Sequence, residues 1–242
     1  MINTERTPNH IESLETQAIR DYIDASVAFL NDPENSQRPD KPAPYRTSDL
    51  LRAFDSCFYS KCYLTEQKFA NSWAMDVEHF VPQNERPDLV YAWSNLLPAE
   101  HKANMMKPRK TPPGGYLDPC NPDDDVENDI LYSLSIYGED PEFEARNSGC
   151  AKSTNTASLL NRLHNGYDGM SNKNTASLRL VIRKKYILIL QKIIEWQRQI
   201  PNSQEEFQAR RELRELLSRK SSFSMLCRSI PAVRQLPDGF FD

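Results

Sequence analysis

Three polar residues stand in order in the first half of the chain: His79, Asn95 and Asn104, separated by 16 and then 9 positions. Glu78 precedes His79, so a hard oxygen ligand stands beside an imidazole that can accept a proton. These residue types suit phosphodiester hydrolysis, in which a divalent cation neutralises phosphate charge and stabilises the leaving oxygen while a histidine takes a proton from water. Asp76 has the same strand parity as Glu78 and is an additional candidate metal carboxylate, directly or through water. Lys107, Arg109 and Lys110 read either as a basic helix end matched to the helix dipole or as contacts to phosphates. His101 and His164 lack convergent partners and read as surface or core histidines. The acidic run 123–129 reads as a solvated loop rather than a second metal site.

The elements that must position these residues follow from the apolar spacing. From Trp73 to Val81 the apolar side chains recur with a period of two, which predicts a strand carrying Asp76, Glu78 and His79. A regular strand would point Glu78 and His79 to opposite faces, so both reach one phosphate only where the strand frays or bends. Residues 82–92 read as a loop, and Pro98 suits the first turn of a helix running from Ala99 to Met106 and ended by Pro108. Helical spacing also predicts a helix over about 9–31, a second from Thr47–Asp49 toward Cys57, and long helices over 174–200 and from the capping pair Ser203/Glu206 through Leu217. The last two, joined by a short turn, should pack antiparallel. Ile130 to Ile136 reads as another strand, and 138–155 as a polar stretch.

The chain has 242 residues, 38% of them hydrophobic, enough for a sizeable core. It lacks the roughly 18 consecutive apolar residues that a membrane span needs, and its start lacks a signal peptide's pattern, so a cytoplasmic protein is expected. Five scattered cysteines argue against a disulfide framework. The net charge of -4 is uneven: residues 169–220 carry 12 basic and 5 acidic side chains. This basic quarter, with Arg179, Arg183, Lys184 and Lys185 near a helix start where the dipole gives cations no advantage, suits an acidic partner or a polyanion, or is a solvated helix face.

Glu78-His79-Phe-Val-Pro82, Trp93-Ser-Asn95-Leu96-Leu97 and Asn104-Met-Met-Lys107 together resemble the three parts of the HNH endonuclease motif, over about 55 residues between 57 and 110. The resemblance implies an α+β, predominantly helical chain: a small ββα-metal nuclease core at 57–118 between an N-terminal helical segment at 1–56 and a C-terminal helical region at 119–242 that serves partner or nucleic-acid binding. It also implies roles. His79 is the general base, Asn95 orients its loop, and Glu78 with Asn104 holds the metal.

Two departures from the family matter. Paired Cys-x-x-Cys motifs for a structural zinc are reduced to Cys62 followed by Thr65, with Glu100 and Ala103 at the second pair, so no structural zinc is expected. Cys57 and His101 are the remaining substitutes, and Cys57 to Cys62 has the wrong spacing. Pro108 stands where many members place another metal-binding histidine. Two protein ligands and several waters suit Mg²⁺, or Mn²⁺, better than a softer metal. More weakly, Leu117-Asp118-Pro119, Ile130-Leu-Tyr132 and Leu159-Leu-Asn-Arg-Leu163 resemble the nuclease subunit of Septu-type antiphage systems, including Septu-like retron effectors. That resemblance implies an ABC-type ATPase partner and, in retrons, a reverse transcriptase with its DNA–RNA product. An RNA-cleaving nuclease and a non-catalytic adaptor that binds nucleic acid or protein are the alternatives.

Overall fold

The structure, a computed structural model, describes residues 1–134, 140–166, 169–237 and 239–241, with 169–172 and 174 described by backbone alone. The chain is α+β, predominantly helical, with two small antiparallel sheets. It divides into two compact units: residues 4–63 with 69–113, and residues 1–3 with 64–68 and 114–242. Among the described residues no helix is long and apolar enough to cross a membrane.

In the first unit, the helix expected over 9–31 is broken. A 3-10 turn at Glu12–Leu14 precedes α1 (Gln17–Asn31), with Thr16 extended between them. The cause is Asp49 in the first turn of α2 (Ser48–Cys57), whose carboxylate accepts from the Ser13 N–H at 3.0 Å and the Ser13 hydroxyl at 2.6 Å. Ile11 and Leu14 are thereby buried together with Ile19 and Tyr22 of α1.

The strand expected over 73–81 is shorter, β1 at Asp76–His79. Ahead of it the Asn71 side chain accepts from the Trp73 N–H at 3.1 Å and closes a 3-10 turn, which leaves Trp73 57% exposed instead of on the inner face. A second correction concerns Pro98. It lies not in a helix but in β2 (Leu96–Ala99), antiparallel to β1, with Val77 opposite Pro98 and His79 opposite Leu96. Each strand of a two-stranded ribbon has a free edge, where a proline's missing N–H breaks no ladder bond. The helix begins later, as α3 (His101–Met106), because the Glu100 side chain caps the Ala103 N–H at 2.9 Å. The order is strand, strand, helix.

In the second unit, β3 (Ile130–Ser133) pairs antiparallel with β4 (Glu142–Ala145). The strand expected over 130–136 is seen to Ser133; residues 135 and 136 lie outside the described residues. β4 falls in the stretch read only as polar, since a single inward residue, Phe143, carries its packing, edge-on to Tyr132 at 5.8 Å. Next comes α4 (Ala151–Asn165), burying Leu159, Leu160 and Leu163, and then α5 (Gly169–Gln197) and α6 (Gln204–Leu217). Lys192 pairs with Glu212 while Trp196 donates to Glu206, a pattern that only antiparallel helices give. Two short helices, α7 (Ser224–Ser229) and α8 (Pro231–Arg234), follow and have no counterpart in the sequence reading.

The Ser203 hydroxyl accepts from the Glu206 N–H at 3.1 Å, as its cap spacing requires. Glu206 itself turns to the Trp196 indole at 2.6 Å rather than back to Ser203. Ser203→Ala should therefore destabilise this unit by about 1 kcal/mol, read as a lower urea midpoint with unchanged slope; an unchanged midpoint would show that the cap contributes nothing.

Candidate active site

β1 ends at His79: Phe80 adds one more backbone bond to Asn95 opposite it, but the Asn95 N–H turns to the Ala92 carbonyl and the Val81 N–H to the Asn95 side chain, and the ladder stops. The Phe80 N–H donates to the Asn95 carbonyl at 2.9 Å and the Val81 N–H to its side-chain oxygen at 2.7 Å. The Asn95 carboxamide nitrogen in turn donates to the carbonyls of Val81 at 3.1 Å and Leu89 at 3.2 Å. One buried amide thus holds both sides of the loop that follows His79.

Lys107, one residue past α3, locks the same corner from below. Its ammonium donates to Glu78 Oε1 at 2.5 Å and to the carbonyls of His79 at 3.1 Å and Phe80 at 2.9 Å. An ammonium has three protons, and all three are placed here. Sequence reading sends Lys107 to a phosphate with Arg109 and Lys110; the structure buries it against Glu78, and of the three cations only Arg109 and Lys110 are exposed.

With the strand turned at its last residue, Glu78 and His79 line one cavity of about 360 Å³ with Tyr45, Gln83, Asn104, Lys107 and Arg109. The His79 ring is edge-on to Tyr45 at 4.8 Å. Its Nε2 lies 3.0 Å from the Val90 carbonyl, which only accepts, so Nε2 carries the proton. Nδ1 is then the lone-pair nitrogen and accepts from the Gln83 carboxamide nitrogen at 2.9 Å. Burial pulls the imidazole down to about 4, against the Val90 bond and with help from the cations of Lys41 and Lys107. The His79 imidazole is therefore neutral at neutral pH.

Burial raises the Glu78 carboxyl above its ordinary range, opposed by Lys107 and by the Tyr63 hydroxyl, which donates to Oε2 at 2.9 Å. Asp76, on the same side of β1, accepts from the Asn104 carboxamide nitrogen at 3.0 Å and bonds His101 at 2.9 Å. The Asn104 carboxamide is thereby oriented with its oxygen free of any hydrogen bond among the described residues. Glu78, Asn104 and Asp76 are hard oxygen donors of the kind that Mg²⁺ and Mn²⁺ take, and both Glu78 oxygens are engaged in this structure, by Lys107 and Tyr63. The donor types fit a divalent ion, which would take the place of Lys107 or Tyr63 on Glu78. The substitutes considered for zinc are engaged elsewhere: the Cys57 thiol donates to the Thr7 carbonyl at 2.7 Å and His101 bonds Asp76. Among the described residues no group of three or more His, Cys, Asp or Glu side chains is placed to hold a metal.

Residues 57–113 match the family model described as HNH endonuclease. They form an HNH endonuclease domain. The matched stretch contains β1, β2 and α3, the ribbon and helix that carry Glu78, His79 and Asn104, and Asn95 in the 3-10 turn just ahead of β2. Over 65 residues the chain is similar to the Septu protein PtuB of Bacillus thuringiensis, 40% identical, covering 26% of this chain and 24% of that protein. The match thus spans about a quarter of the length of that curated relative. No solved structure matches the chain.

Several residues of the HNH domain and its surroundings carry no sequence signal. Tyr63 and Gln83 act through hydrogen bonds to Glu78 and His79 that only the folded chain brings together. Tyr45 and Lys41 come from the proline-rich segment between α1 and α2, which carries Pro33, Pro39, Pro42 and Pro44.

The depressed affinity of His79 for a proton has a consequence for stability. Its folded value of about 4 lies below the ordinary 6.5, so acid favours the unfolded chain: the contribution is intact above pH 6.5 and is lost as pH falls toward 4. His164, buried in the other unit, behaves alike, with burial pulling it to about 4. An NMR titration should find His79 neutral until close to pH 4, while urea unfolding weakens between pH 6.5 and 4. A midpoint near 6.5 would contradict the buried, singly protonated imidazole.

Proposed function

We propose that this chain is a metal-dependent HNH endonuclease that hydrolyses phosphodiester bonds of nucleic acid, DNA in preference to RNA, in the cytoplasm. The observation that carries the reading is the neutral His79 imidazole, with Nε2 anchored and Nδ1 turned to the cavity that Glu78 and Asn104 share. In this reading Nδ1 takes a proton from the water that attacks phosphorus, and the Val90 carbonyl stabilises the imidazolium through Nε2–H. Asn95 keeps the loop, and so the ring, in place. Glu78 and Asn104 would hold Mg²⁺ or Mn²⁺, with Asp76 orienting Asn104; when bound, the ion neutralises phosphate charge and stabilises the leaving oxygen. Arg109 and Lys110, exposed beyond α3, meet the neighbouring phosphates.

His79→Ala should lower cleavage by roughly 10²- to 10⁴-fold with the fold retained. EDTA should stop wild-type cleavage and Mg²⁺ or Mn²⁺ restore it. Labelled DNA and cellular RNA assayed side by side decide the substrate. Full activity of the variant, or cleavage that persists in chelator, would sink the assignment. One observation favours a second reading, a non-catalytic adaptor: Lys107 already sits on Glu78. An adaptor would bind nucleic acid and cleave neither substrate with any divalent ion.

Similarity to a Septu protein supports a place in antiphage defence, as an effector nuclease working with an ABC-type ATPase and, where a retron is attached, with its reverse transcriptase and DNA–RNA product. The C-terminal region, 119–242, is the assembling part in this proposal. On α5, Arg183 and Lys184 are exposed, whereas Lys185 donates to the Ser221 hydroxyl at 2.7 Å. Reversing Arg183 and Lys184 to Glu should weaken capture of the ATPase in a salt-sensitive way without unfolding the chain. Unchanged capture would leave those cations as a solvated helix face.

A further inference from the structure

Nδ1 of His79 has one lone pair, and Gln83 occupies it. A base in that state cannot take a proton from water until the carboxamide leaves. What holds the carboxamide is a side chain from outside the HNH domain: the Lys41 ammonium donates to Gln83 Oε1, while the Gln83 nitrogen donates to His79. Arg38 grips the same loop, its guanidinium donating to the Gln83 carbonyl at 3.2 Å and to Asn84 Oδ1 at 3.5 Å. Lys41 also lies 5.5 Å over the ring of Tyr45, whose edge-on contact makes one wall around His79.

The charge balance of this latch is unusual. Arg38 and Lys41 are both exposed, and neither forms an ion pair among the described residues. Their hydrogen-bond partners are neutral amide oxygens only. A phosphate anion is a stronger acceptor for a cation than a neutral amide oxygen is, because its hydrogen bonds are charge-assisted on both sides. A nucleic-acid backbone arriving at the cavity therefore competes favourably for Lys41, and Gln83 loses the bond that fixes its Oε1.

We propose that Lys41 and Gln83 form a substrate-operated latch: a backbone phosphate bound by Lys41 and Arg38 releases Gln83 from His79, and the base nitrogen opens to water only with nucleic acid in place. Gln83 is a positioning residue in this scheme, and Arg38 and Lys41 are phosphate contacts contributed from the proline-rich segment. The proposal rests on His79 being the general base, and it restricts hydrolysis to the loaded site.

The test reads the ¹⁵N resonance of His79 Nδ1 in EDTA with duplexes carrying uncleavable linkages, assigned by its loss in His79→Ala. Short duplex DNA, and separately the matching RNA duplex, is titrated into the full chain while binding is followed by fluorescence anisotropy. At least one duplex should move the resonance toward that of an unbonded nitrogen as it binds. Gln83→Glu, which keeps the size of the side chain but cannot donate when ionised, should give the moved position without nucleic acid. Lys41→Ala should raise the concentration needed for half binding about 10-fold, the loss expected for one hydrogen bond between charged groups. Binding of both duplexes with a stationary resonance, no binding of either, or an unmoved Gln83→Glu resonance would each overturn the latch. Cleavage assays separate the two claims: an active His79→Ala removes the base assignment, whereas an inactive one with a stationary resonance removes the latch alone.

Discussion

A single buried contact organises the proposed centre: the Lys107 ammonium against Glu78, the carbonyl of His79 and the carbonyl of Phe80. It ties the end of α3 to the end of β1, and it does so where two neighbouring side chains must serve one cavity. A buried pair of this kind is weak evidence for stability, because desolvation offsets the attraction. Removing one partner is another matter. An uncompensated charge at that depth costs several kcal/mol, on the order of 3–5, so the pair fixes geometry even where it adds little stability.

From that contact the rest follows by position. Asn95 closes the turn from the other side, Tyr63 takes the second oxygen of Glu78, and the Val90 carbonyl sets which imidazole nitrogen is protonated. Each is a neutral or charge-balancing group placed on an atom that would otherwise be buried without a partner. The price is a crowded site, in which Lys107 and Tyr63 occupy the two oxygens of Glu78 and Gln83 the free nitrogen of His79. A divalent ion and a water molecule would have to enter against those three contacts, and the proposed latch couples the last of them to substrate binding.

Much of this was legible from residue types and spacing, and the reasons for the remainder are physical. His79, Asn95 and Asn104 at 16 and 9 positions identify the HNH pattern, and Ser203 with Glu206 marks the start of α6 correctly. Pro98 misleads because proline is suited both to a first helical turn and to a free ribbon edge, and the choice depends on Val77 lying opposite. β4 is missed because one inward Phe143 is too little for a period of two to register. Lys107 reads as a basic helix end, since nothing in its neighbours along the chain announces that Glu78, 29 positions away, will be its partner. Lys41 and Gln83 are invisible for the same reason: side-chain hydrogen bonds between distant segments leave no periodicity.

The claim at the centre is that Glu78 and Asn104 take a divalent ion in the presence of Lys107. Calorimetric titration of Mn²⁺ into the wild-type chain and into Glu78→Gln, both bound to a duplex carrying uncleavable linkages, tests it most directly. The account predicts one ion per wild-type chain and none at that site in the variant. Equal binding to both, or no binding to the wild type, would contradict it.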